Sequence, residues 1–339
     1  MTEDAPHRTA KPSIYDVARL AGVSHQTVSR VLNAHPNIRE STRARVEAAM
    51  AEIRYTPNSI ARALATRRTR RIGVLVDRPE QYGPGSTLRG IEEAARAAGY
   101  AVTASTVADA PDLGTDAGVA HLRTQGVDAL CVIAPRYSAI DDLKRAAHDL
   151  PTLLVTAEPA DGVLTVAVDQ YAGAARAVDH LLSLGHRDIL HLGGPLDWVD
   201  ARVRSRAWSD RLAAAGLPAR PPVIGDWTSD FGYEVGRRSG ELGQATAVFA
   251  ANDQMALGLL HGLHERGLRV PDDVSVIGFD DLPDARHLLP PLSTVRQDFH
   301  ALGALSLTSL IASLDRPVAS SMIEPELIVR ASTGPRACA

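Results

Sequence analysis

Ile14-Tyr15-Asp16-Val17-Ala18-Arg19-Leu20-Ala21-Gly22-Val23-Ser24-His25-Gln26-Thr27-Val28-Ser29-Arg30-Val31-Leu32-Asn33 reads as two short amphipathic helices joined by a tight turn. Ile14, Val17, Ala18 and Ala21 recur at helical spacing, and Gly22 suits the left-handed residue that follows a helix. Ser24 is a good N-cap for a second helix from His25, whose apolar stripe is Val28, Val31 and Leu32. The opposite face carries His25, Gln26, Thr27, Ser29, Arg30 and Asn33, side chains able to address base edges and phosphates. In a helix-turn-helix the N-terminal end of the second helix enters the major groove, which puts His25, Gln26 and Ser29 on bases and Arg30 on a base or a phosphate. An ordinary helical hairpin with a solvated polar face shares this local pattern, so the flanking chain decides between them.

The flank favours DNA. A third helix is expected over 41–53, opened by Ser41 or Glu40, with Val46, Ala49, Met50 and Ile53 on its core face. Pro57 ends it, because proline disfavours helix in the residue before it. Asn58 can then cap a short segment to Ala65, followed by the basic run Arg67-Arg68-Thr69-Arg70-Arg71. Residues 1–71 hold 13 Lys and Arg against 6 Asp and Glu, whereas the rest holds 23 against 34. A basic head on an acidic body is the footprint of a domain that neutralises phosphates, and the net charge of −4 conceals it.

Length and composition set bounds. A chain of 339 residues with 45% hydrophobic content holds two or three domains with sizeable cores. No apolar run approaches the roughly 18 residues that span a bilayer, so no membrane partner is expected. Glu3 and Asp4 do not fit the start of a signal peptide, and two cysteines make neither a disulfide framework nor a zinc pattern. A cytoplasmic protein without cofactor or metal is expected.

From Arg71 on, the chain alternates apolar strands with helices. Strands are expected at 71–76, 100–105, 129–133 and 152–155, then again at 189–192, 223–224, 247–250 and 275–279. Helices are expected over 87–98, to about 124, from 140, and over 173–183, 199–215, 231–241 and 254–265. Two consecutive doubly wound units are the simplest account, with ligand outside the carboxyl ends of the strands in the cleft between them. Strand-end polar residues are therefore candidates: Asp77, Thr156, Arg204, Asn252-Asp253 and Asp280-Asp281. An Arg, an Asn and an Asp converging there suit a polyhydroxylated ligand, and Trp227 and Phe299 offer flat surfaces for a sugar ring. Taken singly, each has a plain structural alternative, such as a helix N-cap for Asp253.

The chain resembles the lactose-repressor (LacI/GalR) family of bacterial transcription repressors over nearly its whole length. The head blocks that carry the likeness are Tyr15-Asp16-Val17-Ala18, Ala21-Gly22-Val23-Ser24, Thr27 to Asn33, Val46 to Met50 and Tyr55-Thr56-Pro57-Asn58. In the body they are Gly193 to Leu196, Ala201 to Arg204, Gly225-Asp226-Trp227, Ala251 to Gly258, Gly278 to Asp281 and Pro290 to Phe299. The resemblance implies a helix-turn-helix headpiece over 1–57 (1–11 disordered) and a hinge helix and linker over 58–70. It implies a core over 71–339 like periplasmic sugar-binding proteins, with subdomains of about 71–168 plus 299–327 and about 169–298. It places His25 and Gln26 at base-reading positions, and Ser13, Tyr15, Ser24, Asn33 and Asn37 on the DNA backbone. Asn58, Ala61 and Leu64 would belong to the hinge, Leu64 as the wedge in a minor-groove step. Arg204, Trp227, Asn252, Asp280, Gln297 and Phe299 match sugar-contacting positions, with Asp77, Pro84 and Thr156 completing the effector set.

Departures from the family's namesake lie mainly on the first-subdomain wall. Thr156 replaces an acidic residue, Ile133 an amide, Val168 an aromatic, and Asp77 and Gln81 a small polar and an apolar residue. The expected effector is a galactoside or related glycoside that releases the protein from a palindromic operator in double-stranded DNA. A corepressor-dependent regulator of sugar or nucleoside response is the alternative reading. Residues 332–339 carry no leucine heptad, so a homodimer is expected rather than a tetramer. An enzyme is disfavoured, since neither a G-x-G-x-x-G nor a P-loop motif is present and the 12 histidines lack metal spacing. A sugar-binding protein without DNA activity would have no use for the basic head.

Overall fold

Ser13 caps the first helix of the head. Its Oγ accepts from Asp16 N at 3.3 Å and donates to the Asp16 carboxylate at 2.7 Å, while that carboxylate accepts from Ser13 N at 3.0 Å. This reciprocal cap starts α1 (Ile14–Ala21), and Gly22 at φ 62° ends it. Ser24 Oγ accepts from Thr27 N at 3.1 Å and so caps α2 (His25–Leu32). With α3 (Glu40–Glu52), these helices close around Val17, Ala18, Ala21, Val28, Val31, Val46 and Ala49. Leu32, Met50 and Ile53 are only half-buried at its edge.

The computed structural model describes residues 12–32, 35, 37–56, 68–107, 114–133 and 136–336. The expected disorder of 1–11, the hinge positions Asn58, Ala61 and Leu64, and Asn33 lie outside the described residues. Chain contacts divide the molecule into two units, Met1–Thr69 and Arg70–Ala339.

The second unit contains two parallel sheets. The first takes β1 (Arg71–Val76), β2 (Ala101–Thr106), β3 (Ala129–Ile133), β4 (Thr152–Val155), β5 (Leu164–Val168) and β11 (Ser321–Ile323), in the order β2-β1-β3-β4-β5-β11. The second takes β6 (Ile189–Gly193), β7 (Val223–Ile224), β8 (Ala247–Ala250) and β9 (Ser275–Ile277), in the order β7-β6-β8-β9. Both begin with the same crossover, so each has a switch point beside its first strand, where doubly wound sheets hold ligands. Their central strands β1, β3, β6 and β8 are buried almost throughout and read as largely continuous apolar runs.

Helices cover the sheets: α4 (Tyr82–Ala97), α5 (Thr115–Thr124) and α6 (Ile140–Ala146) in the first lobe, α7 (Gln170–Ser183), α8 (Val199–Ala214), α9 (Ser229–Arg237), α10 (Ser239–Leu242) and α11 (Asp253–Glu265) in the second. The chain then returns to the first lobe as α12 (Phe299–Ser313), which packs on α4, and β11. It re-enters the second lobe as β12 (Glu326–Ile328), antiparallel to β10 (Thr294–Arg296). Within the described residues no helix is long and apolar enough to cross a membrane.

The sequence reading differs from the structure at particular elements. β5 was not expected, because it follows β4 without an intervening helix and pairs with it directly, Leu153 opposite Leu164. The helix expected at 87–98 begins five residues earlier, at Tyr82, and that expected over 231–241 is two helices broken at Arg238.

Candidate functional site

In the head, α2 presents His25, Gln26 and Arg30 exposed, with Ser29 and Thr27 half-buried beside them. Thr27 Oγ1 lies 2.9 Å from Ser24 Oγ, so both hydroxyls serve the cap as well as the surface. Tyr15, 66% exposed, holds its ring 5.2 Å from that of His25. Asn37 is also exposed. Two helices therefore contribute to one polar, aromatic face.

In the body, a cavity opens between the lobes at the carboxyl ends of both sheets. Pro84, Thr156, Arg204, Trp227, Asn252, Asp280, Gln297 and Phe299 line it together. Asp77 does not. Its carboxylate is buried and bonded to Arg136 Nε at 2.6 Å, turned toward β3 and away from the cavity. A strand-end position allowed either direction, and Arg136, 59 residues later, chose one.

A chain of hydrogen bonds runs across the second-lobe wall. Arg204 Nε donates to Gln170 Oε1 at 2.8 Å, Gln170 Nε2 to Gln297 Oε1 at 2.6 Å, and Gln297 Nε2 to Asp280 Oδ1 at 2.6 Å. Arg204 also donates to Ala251 O and lies 4.0 Å over the Phe279 ring. Burial weakens its hold on the proton, opposed by Asp280, Asp200 and Asp253. Burial likewise pushes the Asp280 carboxyl up to about 6, against the pull of Arg204 and the Gln297 amide. Asn252 caps α11 through Met255 N at 2.9 Å and donates to Trp227 O at 3.0 Å, which ties the Trp227 loop to the end of β8.

Trp227 and Asp280 both sit at positive φ, 75° and 109°. Such strain persists only where surrounding contacts fix it, and both residues face the cavity. Trp227 packs edge-on to Trp198, and its ring lies so close to Gly194 that a methyl group there would run into it. Asp253 and Asp281, also strand-end candidates, act as supports. Asp253 accepts from Thr294 Oγ1 at 2.6 Å and Leu282 N at 2.8 Å, and Asp281 pairs with Arg296 and Arg330.

Sequence reasoning missed Gln170, Asp200 and Trp198. Asp200 stands four residues before Arg204 on α8, an acid–base spacing that signals one helix face. Gln170 had no comparable signal, since its position depends on the unexpected β5. The lobes also meet beside the cavity: Tyr137 N and Ser138 Oγ donate to Asp197 at 2.7 and 2.8 Å, and Arg206 pairs with Glu158 at 3.0 Å.

Comparison with known proteins places both sites in context. Residues 13–58 match the model of bacterial regulatory proteins of the lacI family, and residues 178–333 match a periplasmic binding protein-like domain. The chain is 34% identical over 328 residues to the lactose operon repressor of Escherichia coli (strain K12), covering 95% of this chain and 90% of the repressor. It is 32% identical to catabolite control protein A of Priestia megaterium, covering 92% and 95% of the two chains. Among solved structures it is similar to the Lac repressor dimer bound to operator and the anti-inducer ONPF, with a TM-score of 0.83 and 33% identity over 96% of this chain and 100% of that one.

Proposed function

The chain belongs to the lacI family of bacterial regulatory proteins, and from that premise we propose that it is a repressor of carbohydrate-utilisation genes, released from its operator by a neutral sugar. The head reads a palindromic site as part of a homodimer, since a two-fold protein suits two half-sites and the similar Lac repressor structure is a dimer on operator. His25 and Gln26 address base edges, Ser29 and Arg30 flank them, and Ser13, Tyr15, Ser24 and Asn37 lie toward the phosphates.

The observation that carries the effector half is the buried relay Arg204–Gln170–Gln297–Asp280 along a cleft that also holds Asn252 and Trp227. Its amides and carboxylate supply donors and acceptors for vicinal hydroxyls, and Trp227 and Phe299 supply apolar faces for a ring. Effector in this cleft favours one relative arrangement of the lobes and operator favours another, so each ligand weakens the other by the same factor. A coupling on the order of 1–3 kcal/mol is typical. A galactoside is the specific effector we favour, acting in the cytoplasm.

Capture of genomic fragments by the full-length protein, followed by sugar titration of the complexes, tests this reading. Fragments bearing inverted repeats near sugar-catabolic genes, released by a neutral sugar, are expected. Tighter binding with sugar would make the sugar a corepressor instead.

A further inference from the structure

The two walls of the cavity differ in kind. Its charged lining residues are Asp200, Arg204 and Asp280, all from the second lobe. The stretch of first-lobe wall at the ends of β3, β4 and β5 consists, among the described residues, of Ile133, Val155, Thr156, Ala157, Ala167 and Val168, while residues at the starts of α4 and α12 line the rest. Thr156 is the one side chain of that stretch with a hydrogen-bonding group. It is 3% exposed, and no protein group pairs with its Oγ1. Across the cavity, Trp227 is 5% exposed and its Nε1 is likewise unpaired. Of the other first-lobe polar side chains in the lining, Thr87 Oγ1 donates to Gly83 O at 2.9 Å, Gln81 Oε1 accepts from Gln254 Nε2 at 3.4 Å, and the Tyr82 hydroxyl bonds with Ser86.

Buried polar groups without partners are uncommon, and two that line one cavity from opposite lobes point to a ligand that satisfies both. Among the described residues the only cation of the lining is Arg204, whose Nε and Nη1 are bonded to Gln170 and the Ala251 carbonyl and whose Nη2 faces Asp280 at 3.9 Å. With one cation beside two carboxylates, Asp200 and Asp280, the described lining repels a phosphate or carboxylate more than it attracts one.

Resting on the carbohydrate reading above, we propose that the effector is an uncharged sugar that turns a largely apolar edge, deoxygenated or alkylated, to the first lobe. At the ends of β3, β4 and β5 it makes one side-chain hydrogen bond, to Thr156 Oγ1, and a second across the cleft to Trp227 Nε1. A sugar with several hydroxyls on the edge facing Ile133, Val155 and Val168 would bury them unpaired, at a cost that selects against it.

Calorimetry on the full-length protein, with a panel of neutral hexoses, pentoses and their methyl glycosides beside hexose 6-phosphates, tests this. A neutral sugar should bind, and its 6-phosphate at least about 100-fold more weakly. In its monodeoxy series at least one derivative should bind as well as the parent. Thr156→Val, which keeps the shape and removes the hydroxyl, should weaken binding about fivefold, and one monodeoxy derivative should be indifferent to that substitution. Preference for the 6-phosphate, loss of affinity at every deoxygenated position, or equal affinity of wild type and Thr156→Val would overturn the proposal and leave the sugar-responsive reading standing. Failure of every carbohydrate to bind the folded protein would overturn that reading as well.

Discussion

Arg204 and Asp280 face each other at 3.9 Å in the floor of the cleft, and two glutamines, rather than a direct hydrogen bond, join them. The arrangement keeps a buried pair of charges partly apart, with amide groups that can exchange partners for ligand hydroxyls. It also leaves the Asp280 carboxyl short of compensation, which is why burial raises it to about 6.

The sign of the resulting pH dependence is fixed. A carboxyl whose folded value lies above the ordinary 3.8 stabilises the fold fully below about pH 4, and loses that contribution as pH rises through about 6. Asp280→Asn removes the titration. Relative to this variant, wild type should therefore become less stable between pH 4 and 6, by on the order of 2–3 kcal/mol. Urea denaturation of both proteins across that range measures it; parallel curves would contradict the assignment.

Gly194→Ala should displace the Trp227 ring, because the added methyl has no space against it. Overpacking of this kind typically costs about 1–3 kcal/mol. Effector affinity should fall at least about tenfold while DNA binding without effector persists, as read by calorimetry and by anisotropy of labelled DNA.

Asp77→Asn tests the reassignment of a residue whose strand-end position suggested effector contact. Weakening its bond to Arg136 should lower stability by about 1–3 kcal/mol. The ranking of sugars by affinity should not change; a changed ranking would put Asp77 back at the ligand.

Gly22→Ala addresses the head alone. Nothing crowds the added methyl, so the penalty comes from the backbone at φ 62° and should be about 1–2 kcal/mol. DNA affinity should fall with the unfolding of the head, while effector affinity remains as in wild type.

The head was the most legible part, because its signals are local. Gly22, Ser24 and the stripe Val28–Val31 declare turn, cap and core within a dozen residues. In the body, apolar runs located most strands, and strand-end positions located Arg204, Asn252 and Asp280 in one cavity. What was not legible depends on distant partners. The direction of Asp77 is decided by Arg136, and the place of Gln170 by a strand that pairs without a crossover helix. Asp253 and Asp281 carry the same strand-end pattern as Asp280, and only Thr294, Arg296 and Arg330 distinguish support from site.

On the function proposed above, one sugar in the cleft and one operator on the head bind against each other. The most direct test is reciprocal linkage: operator affinity measured with and without saturating sugar, and sugar affinity measured with and without saturating operator, on the same full-length protein. Both affinities should fall by the same factor, at least about fivefold. Gly194→Ala, by impairing the cleft, should remove the effect of moderate sugar concentrations on operator binding. Operator affinity that is unchanged by a sugar shown to occupy the cleft would contradict that function.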